Sequence, residues 1–129
     1  LKAGKIVLCD RFVDSSIAYQ GVARGIGEEN IKIVNEFATN GLKPDLTFLF
    51  DLPVSETHAR LKNRSTNHID RESHDFHEKV RDSYLSIAKS EPKRFRVIDA
   101  NQSITNVAND VINVIDNEFD RLNLAAGNE

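Results

Sequence analysis

Short unbroken runs of apolar residues alternate along the chain with longer stretches in which apolar residues recur at helical spacing. Three of the runs are followed by charged or polar residues and predict strands at Ile6–Cys9, Leu46–Phe50 and Phe95–Ile98. Apolar runs of this length are typical of strands that are buried on both faces of a parallel sheet. The pattern therefore predicts three strands of such a sheet.

Helices are predicted between and after these strands, over residues 15–24, from 28 to about 40, over 54–62, from about 71 to 91, and from 104 onward. In the second helix the apolar positions expected to face the core are Ile31, Val34, Phe37 and Ala38. In the helix that begins near residue 71 the corresponding apolar stripe consists of Phe76, Val80, Tyr84, Ile87 and Ala88. Asp70 and Ser103 are expected to cap the last two helices. Because strands alternate with helices, the sequence predicts an α/β fold with a parallel sheet and flanking helices.

Composition and charge narrow the class of protein. The chain has 129 residues, of which 40% are hydrophobic and 29% charged, an ordinary balance for one globular domain. No apolar run approaches the ~20 residues that span a bilayer, and no signal peptide is recognisable, so we expect no membrane association and a cytoplasmic location. A net charge of −3 argues against binding a nucleic-acid polymer. The single cysteine excludes an internal disulfide.

The densest group of chemically useful side chains follows the first predicted strand. Asp10 and Arg11 stand at the carboxyl end of that strand, the edge at which open α/β sheets bind ligands. Ser16, Tyr19 and Gln20 have the i, i+3, i+4 spacing that places side chains on one face of an α-helix. A lone Asp-Arg pair is more often a surface ion pair, but the face that follows offers one small ligand a hydroxyl, an aromatic ring and an amide.

The stretch from Asp10 to Gly25 reads Asp-Arg-Phe-x-Asp-Ser-Ser-x-Ala-Tyr-Gln-Gly-x-x-Arg-Gly and resembles the signature of bacterial thymidylate kinases. The resemblance continues through Gly41–Thr47, an arginine-bearing lid at about residues 60–71, and Phe76–Val80. It covers essentially all of residues 5–120 in order. It implies that residues 1–129 form a single partial domain, the C-terminal portion of such an enzyme.

The fold implied by the resemblance is that of a P-loop nucleoside monophosphate kinase, with sheet order 2-3-1-4-5. The three predicted strands resemble strands 3, 4 and 5 of that sheet, so the fold is truncated. The Gly-x-x-x-x-Gly-Lys-Ser/Thr loop is absent from the 129 residues. Without strand 1, buried groups of its neighbours lose partners, at ~1–3 kcal/mol each. We therefore expect strand 3 to pair with strand 4, to exchange with another chain, or to be poorly ordered.

The resemblance implies phosphoryl transfer from ATP to dTMP, giving dTDP for dTTP biosynthesis, with Mg²⁺ as cofactor. Asp10 resembles the acid that lies near Mg²⁺ and the phosphates. Arg11 looks like the arginine that clamps the dTMP phosphate and the oxygen passing between the nucleotides. Ser16 and Gln20 occupy positions that contact thymine, and Tyr19 occupies the position of a tyrosine that packs against the deoxyribose. Arginine suits such a site because its planar guanidinium binds phosphate with two donors.

The ATP side is implied by later residues. Arg64 looks like a lid arginine that reaches the transferred phosphoryl group, where positive charge stabilises the transition state. The loop against which adenine packs matches Asp99, Ala100, Asn101 and Gln102. A second lid arginine of the family is replaced here by His68, and Arg71 is the alternative cation. The resemblance also implies a homodimer; the apolar stripe of residues 28–38 is a candidate for its interface, although core packing explains that stripe equally well.

Two alternatives stay open. As an enzyme, the chain is a kinase for one of three acceptors: dTMP, another nucleoside monophosphate, or a deoxynucleoside. The set formed by Ser16, Tyr19 and Gln20 favours dTMP. From a different class, it is a catalytically inactive remnant that binds a nucleotide or a partner. Because the phosphate-binding loop is absent from the 129 residues, we expect these residues alone to be inactive.

Overall fold

The structure, a computed structural model, describes residues 1–61 and 72–126 and consists of two compact units. The first unit comprises Leu1–Lys43 and Glu72–Ile87, and the second comprises Pro44–Arg71 and Ala88–Glu129. Within the described ranges, no helix is both long enough and apolar enough to cross a membrane. The single domain expected from the sequence stays a prediction.

The first unit is helical. It contains helix α1 (Val13–Ser16), a π-helix (Ile17–Ala23), helix α2 (Glu28–Thr39) and the greater part of helix α4, which extends over His74–Ser90. The helix predicted over residues 15–24 is therefore present, but most of it is a π-helix. Its core consists of Ala18, Phe76 and Val80, against which Tyr19, Ala23 and Tyr84 pack.

Gly21 explains how the π-helix and α2 come close together. It is buried, and a Cβ atom at this position would lie 3.2 Å from the Cα atom of Glu28. Such a contact is tighter than side chains normally make, so the first turn of α2 packs against the π-helix where no side chain intervenes.

The inner face of α2 differs from the predicted one. Val34 and Phe37 are exposed, at 59% and 91% of their surface. The half-buried positions are instead Ile31, Asn35 and Thr39. The amide group of Asn35 bonds this face of α2 to α1, since it accepts a hydrogen bond from Ser16 Oγ at 2.8 Å and donates one to the carbonyl of Val13 at 3.2 Å.

Helix α4 matches the prediction on its buried face and differs at its start. The Ser73 hydroxyl accepts a hydrogen bond from the backbone N–H of Phe76 at 3.2 Å and so caps the helix. Asp70, the predicted cap, lies outside the described residues. Phe76, Val80 and Ile87 are buried, as the apolar stripe predicted.

The second unit contains a two-stranded parallel sheet. Strands β1 (Thr47–Asp51) and β2 (Phe95–Asp99) pair in register from Thr47 opposite Phe95 to Asp51 opposite Asp99. Helix α3 (Val54–Leu61) follows β1, and helix α5 (Ile104–Ala126) follows β2. Two of the three predicted strands are thus confirmed as parallel neighbours, as the resemblance implied for strands 4 and 5.

The first predicted strand is not formed. Residues 1–12 contain no strand, and Ile6, Val7 and Leu8 expose 73%, 62% and 94% of their surface. Cys9 is exposed as well. A strand is stabilised by backbone hydrogen bonds to a neighbour, and the one described sheet contains only β1 and β2. The predicted presence of strand 3 is therefore wrong for this structure, and its pairing with strand 4 does not occur.

Helix α5 is capped as predicted and held to the sheet by an arginine. The Ser103 hydroxyl accepts a hydrogen bond from the backbone N–H of Asn106 at 3.2 Å. The guanidinium of Arg96 on β2 forms an ion pair with Glu118 on α5. The apolar face of α5 is only half-buried at Val107, whereas Ile104 exposes 90% of its surface.

Candidate functional site

Arg11 and Tyr19 form the centre of the candidate site in the first unit. The guanidinium carbon of Arg11 lies 5.2 Å from the centroid of the Tyr19 ring, within the range of a cation–π contact. Arg11 itself is exposed and has a backbone φ of 64°, in the left-handed region that residues with a side chain seldom occupy. The structure therefore brings together two of the residues that the sequence analysis assigned to dTMP.

The Tyr19 ring belongs to an aromatic group. Its centroid lies 6.0 Å from that of Phe76 at an interplanar angle of 56°, and 6.4 Å from that of Tyr84 at 78°. Tilted and edge-on arrangements at these distances are favourable for aromatic rings. Two rings of α4 thus set the orientation of Tyr19, which fixes the surface that Tyr19 offers to Arg11.

Ser16 and Gln20 do not share one free face with Tyr19. Ser16 Oγ bonds the Val13 carbonyl and Asn35 Oδ1, each at 2.8 Å, so it is directed to α2, whereas Tyr19 packs against α4. Gln20 is exposed. The expectation of a shared face assumed the turn of an α-helix. The π-helix has wider turns with i→i+5 bonds, such as the one from Arg24 N–H to the Tyr19 carbonyl at 3.1 Å, and this changes which side chains align.

Ser15 and Tyr84 join α1 to α4 beside Tyr19. The Ser15 Oγ and the Tyr84 hydroxyl oxygen lie 2.6 Å apart and share a hydrogen bond. Burial raises the pKa of the Tyr84 hydroxyl above its ordinary value of 10.0, and the bond to Ser15 acts in the opposite direction. The negative charge of Asp14, a buried carboxylate, contributes to the same rise. Tyr84 therefore keeps its proton at neutral pH.

Asp10 directly precedes Arg11 in the sequence and is exposed. Because the segment before it is not a strand, Asp10 and Arg11 do not stand at a strand end as predicted. Among residues 1–61 and 72–126 no cluster of three or more His, Cys, Asp or Glu side chains could hold a metal ion. Mg²⁺ bound together with nucleotide phosphates needs only one or two protein carboxylates, so a single carboxylate at Asp10 fits that kind of site.

The predicted adenine loop lies in the second unit and begins at Asp99, the last residue of β2. Asp99 Oδ1 accepts a hydrogen bond from the backbone N–H of Asn101 at 2.7 Å, and Gln102 Nε2 donates to the Asp99 carbonyl at 2.9 Å. The same Gln102 nitrogen donates to Asp110 Oδ2 at 2.6 Å, and the Ala100 N–H donates to the Asp51 carbonyl at 2.8 Å. These bonds hold the loop at the carboxyl edge of the sheet. Arg64, His68 and Arg71 lie outside the described residues.

Several residues of the site were missed or given another role. Asn35 was not singled out, although a polar residue four positions after Ile31 on an apolar helix face was an available signal. Phe76 and Tyr84 were expected only as core, since spacing alone does not show which ring a side chain will meet. Arg24 belongs to the quoted motif, but the sequence assigned it no partner.

Comparison with known proteins decides the family. The family described as "Thymidylate kinase" matches residues 1–111 of the chain. The chain belongs to the thymidylate kinase family. A thymidylate kinase of Ligilactobacillus salivarius is 50% identical over 120 residues, which cover 91% of this chain and 58% of that relative. A thymidylate kinase of Latilactobacillus sakei subsp. sakei is 51% identical over 118 residues, 89% of this chain and 55% of that relative.

A third thymidylate kinase, from Thermoanaerobacter sp. (strain X514), is 49% identical over 115 residues, which cover 89% of this chain and 57% of that relative. The chain thus spans 55–58% of the length of these curated relatives. Family membership confirms the resemblance drawn from the Asp10–Gly25 motif. The small parallel sheet with helices is consistent with the α/β class of the family.

Proposed function

We propose that this protein transfers the γ-phosphoryl group of ATP to dTMP, giving dTDP for dTTP synthesis. The observation that carries the proposal is the placement of the Arg11 guanidinium over the Tyr19 ring at 5.2 Å, in a chain that belongs to the thymidylate kinase family. A phosphate-binding cation beside an aromatic ring matches the two ends of a nucleotide, its phosphate and its sugar with base.

In this proposal Arg11 binds the dTMP phosphate and the oxygen that passes between the nucleotides. Tyr19 packs against the deoxyribose, and Gln20, which is exposed, contacts thymine. Ser16 is proposed to contact thymine as well, which requires its hydroxyl to release Asn35 or to accept a further bond. Arg64 is proposed to reach the transferred phosphoryl group, and Asp99–Gln102 to pack against adenine.

Asp10 is proposed to hold Mg²⁺ at the phosphates. When bound, the ion neutralises charge on the phosphate oxygens. The residues of this chain contribute binding and orientation: Arg11 fixes the acceptor phosphate, and Tyr19 fixes the sugar. Catalysis of phosphoryl transfer depends mainly on such positioning and on electrostatic stabilisation.

The test is dTDP formation from Mg-ATP by the whole protein that carries this sequence, with dTMP, dUMP, dCMP and AMP as competing acceptors. We expect dTMP to be the preferred acceptor by kcat/KM. Preference for another acceptor would replace the substrate and keep the reaction class. Binding of dTMP without any turnover would favour the inactive remnant.

We also propose that residues 1–129 alone form no dTDP, because they contain no Gly-x-x-x-x-Gly-Lys-Ser/Thr loop.

We further propose that the whole protein is a homodimer that uses the outer face of α2. Ile33, Val34 and Phe37 expose 69%, 59% and 91% of their surface on this helix, and exposed apolar patches often mark interfaces. Sedimentation of the wild type and of Phe37→Glu tests this, with a shift from dimer to monomer expected.

The reaction requires ATP, so we place the protein in the cytoplasm.

A further inference from the structure

Arg24 links the end of the π-helix to the start of α4. Its Nη2 lies 2.7 Å from Oε1 of Glu72, the residue before the Ser73 cap, with side-chain exposures of 44% and 24%. Its guanidinium carbon also lies 5.2 Å from the centroid of the Phe76 ring. One side chain therefore pairs with a carboxylate and covers an aromatic face four residues further along.

The Phe76 ring lies between this guanidinium and the candidate site. Phe76 is 8% exposed and packs with Ala18 and Val80, and its ring centroid lies 6.0 Å from that of Tyr19. Tyr19 in turn carries the Arg11 guanidinium at 5.2 Å. Two cations thus contact two neighbouring aromatic rings, but only Arg11 contacts the ring that the proposed function assigns to the nucleotide.

We infer that Arg24 is a positioning residue that holds Phe76 against Tyr19, by pairing with Glu72 and covering the Phe76 ring, and thereby sets the Tyr19 ring for the nucleotide. The nucleotide part of this inference rests on the proposed function. The Arg24 backbone N–H donates to the Tyr19 carbonyl at 3.1 Å as part of the π-helix, whereas the Arg24 side chain contacts Glu72 and Phe76. It acts through the first turn of α4, whose position determines where the Phe76 ring lies.

Arginine is suited to this double contact. Its planar guanidinium donates hydrogen bonds in its plane to a carboxylate while a flat face lies against an aromatic ring. A lysine ammonium at the same place keeps the charge but cannot present a flat face. Arg24→Lys should therefore retain the ion pair with Glu72 and lose part of the hold on Phe76.

The tyrosine content supplies a direct measurement. The chain contains two tyrosines and no tryptophan, and both tyrosines, Tyr19 and Tyr84, lie in this aromatic group. The near-ultraviolet circular dichroism in the tyrosine band therefore reports on the order of this group alone. This signal exists without any ligand and without any activity.

The test compares the wild-type chain with Arg24→Ala, Arg24→Lys, Glu72→Gln and the control Lys32→Ala. Lys32 forms exposed ion pairs with Glu28 at 2.8 Å and Glu29 at 3.0 Å on α2 and is absent from the aromatic group. We expect Arg24→Ala to lower the tyrosine dichroism at unchanged far-ultraviolet helix signal, Arg24→Lys and Glu72→Gln to lower it less, and Lys32→Ala to leave it unchanged.

Binding of dTMP is then measured by calorimetry on the same proteins. We expect Arg24→Ala to weaken dTMP binding by up to about tenfold, which is reached if the whole energy of a partly exposed ion pair and one cation–π contact is expressed in binding, with Arg24→Lys between it and the wild type. The inference is overturned if Arg24→Ala leaves the tyrosine signal at the wild-type level, or if Lys32→Ala lowers it equally.

The two proposals fail in different ways. If the wild-type chain binds no dTMP while the tyrosine dichroism still depends on Arg24, the dTMP site proposed within these 129 residues fails and the positioning of Phe76 stands. If the wild-type chain binds dTMP and Arg24→Ala changes neither the dichroism nor the affinity, the proposed dTMP site stands and the positioning role is refuted.

Discussion

At the scale of single residues, Arg11 combines a left-handed backbone with an exposed guanidinium. Its φ of 64° costs a residue with a side chain about 1–2 kcal/mol relative to the right-handed region. Residues kept in such conformations cluster at functional sites, because the surrounding structure has to hold them there. The guanidinium that this backbone presents over Tyr19 gives the conformation a function in the proposed dTMP site.

A comparison of Arg11→Gly with Arg11→Ala separates the effect of the backbone conformation on stability from the effect of the guanidinium. Both variants lack the guanidinium, but only glycine adopts the left-handed conformation without cost. We expect Arg11→Gly to be more stable than Arg11→Ala by about 0.5–1 kcal/mol, the reverse of the usual order. The difference is smaller than the backbone strain itself, because glycine's extra freedom in the unfolded state offsets part of the gain. Urea denaturation of the two variants measures the difference. An alanine variant at least as stable as the glycine variant would show that Arg11 is unstrained.

The raised pKa of Tyr84 leads us to expect a loss of stability at alkaline pH. Because burial raises its pKa, the folded state holds the Tyr84 proton to higher pH than the unfolded state does. The free energy of unfolding should therefore decline as pH rises above about 10, the ordinary tyrosine pKa. In Tyr84→Phe this part of the decline should be absent.

The measurement is urea denaturation of both proteins at about pH 8 and about pH 11. Hydrogen bonds to Glu28 and Glu29 raise the pKa of Lys32 above its ordinary value of 10.5, so this group is a second source of pH dependence on the alkaline side. Its contribution is the same in both proteins and cancels in the comparison. Parallel declines of the wild type and Tyr84→Phe would contradict the assignment to Tyr84.

The structure places the side chains of Arg11 and Tyr19, both members of the sequence motif, in contact, and their roles toward dTMP stay predictions. The partners of Ser16 and Tyr19 were not predictable, because Asn35 and Phe76 are 19 and 57 positions away along the chain. Which of two distant side chains a hydroxyl or a ring meets depends on tertiary packing, which periodicity does not encode.

At the scale of elements, the π-helix determines how the motif is displayed. An α-helix over residues 17–23 would have aligned Ser16, Tyr19 and Gln20, whereas the wider turns direct Ser16 to α2 and Tyr19 to α4. π-helical turns are rare and frequently occur at functional sites. The close approach of Glu28 to Gly21 accompanies this geometry.

Gly21→Ala tests that approach. The added methyl group would lie 3.2 Å from the Glu28 Cα, a backbone atom that cannot rotate away. We expect a loss of about 1–3 kcal/mol in the free energy of unfolding, the usual range for overpacking. Gly25→Ala is not a matched control because its φ of 74° adds strain, so Ala23→Gly, within the same π-helix, is the comparison. A fully stable Gly21→Ala protein would show that α2 can move without cost.

Arg96 links β2 to α5 through a polar contact. Its guanidinium donates to the carbonyls of Pro92 at 3.1 Å, Lys93 at 3.1 Å and Phe95 at 2.9 Å, and it pairs with Glu118. We expect Arg96→Ala to lower the free energy of unfolding by about 1–3 kcal/mol, because it leaves a partly buried carboxylate without this partner. Arg96→Lys should recover less than half, since an ammonium cannot reach all four oxygens. Thermal denaturation of both variants measures these losses. An unchanged Tm in Arg96→Ala would show that the ion pair with Glu118 does not stabilise the fold.

The sequence predicted the position of an element where a local cap or a described neighbouring strand stabilises that element. Strands β1 and β2 lie within a residue of their predicted bounds because they pair with each other, and the Ser103 cap is local. The Ile6–Cys9 run has the same apolar character but no described neighbour to pair with, so its character alone does not make it a strand. On α2 the half-buried positions are Ile31, Asn35 and Thr39, so the prediction was wrong at Val34, Phe37 and Ala38, and it did not foresee the bonds of Asn35 to Ser16 and Val13.

At the scale of the whole molecule, two compact units carry the two halves of the proposed chemistry. The first unit holds the residues proposed for dTMP, and the second holds the loop proposed for adenine. The family was predictable from sequence because its motif is long and ordered. The two units were not, because no segment with the composition of a linker separates them in the sequence.

The most direct test of the central claim is calorimetric titration of the 129-residue chain with dTMP and with thymidine, in the wild type and in Arg11→Ala. Thymidine lacks the phosphate, so it isolates the part of binding that Arg11 supplies. We predict that Arg11→Ala weakens dTMP binding about 10- to 100-fold, as expected for loss of a charged phosphate contact, and leaves thymidine binding unchanged. Equal dTMP affinity in the two proteins would contradict the assignment of the phosphate to Arg11 and, with it, the proposed dTMP site.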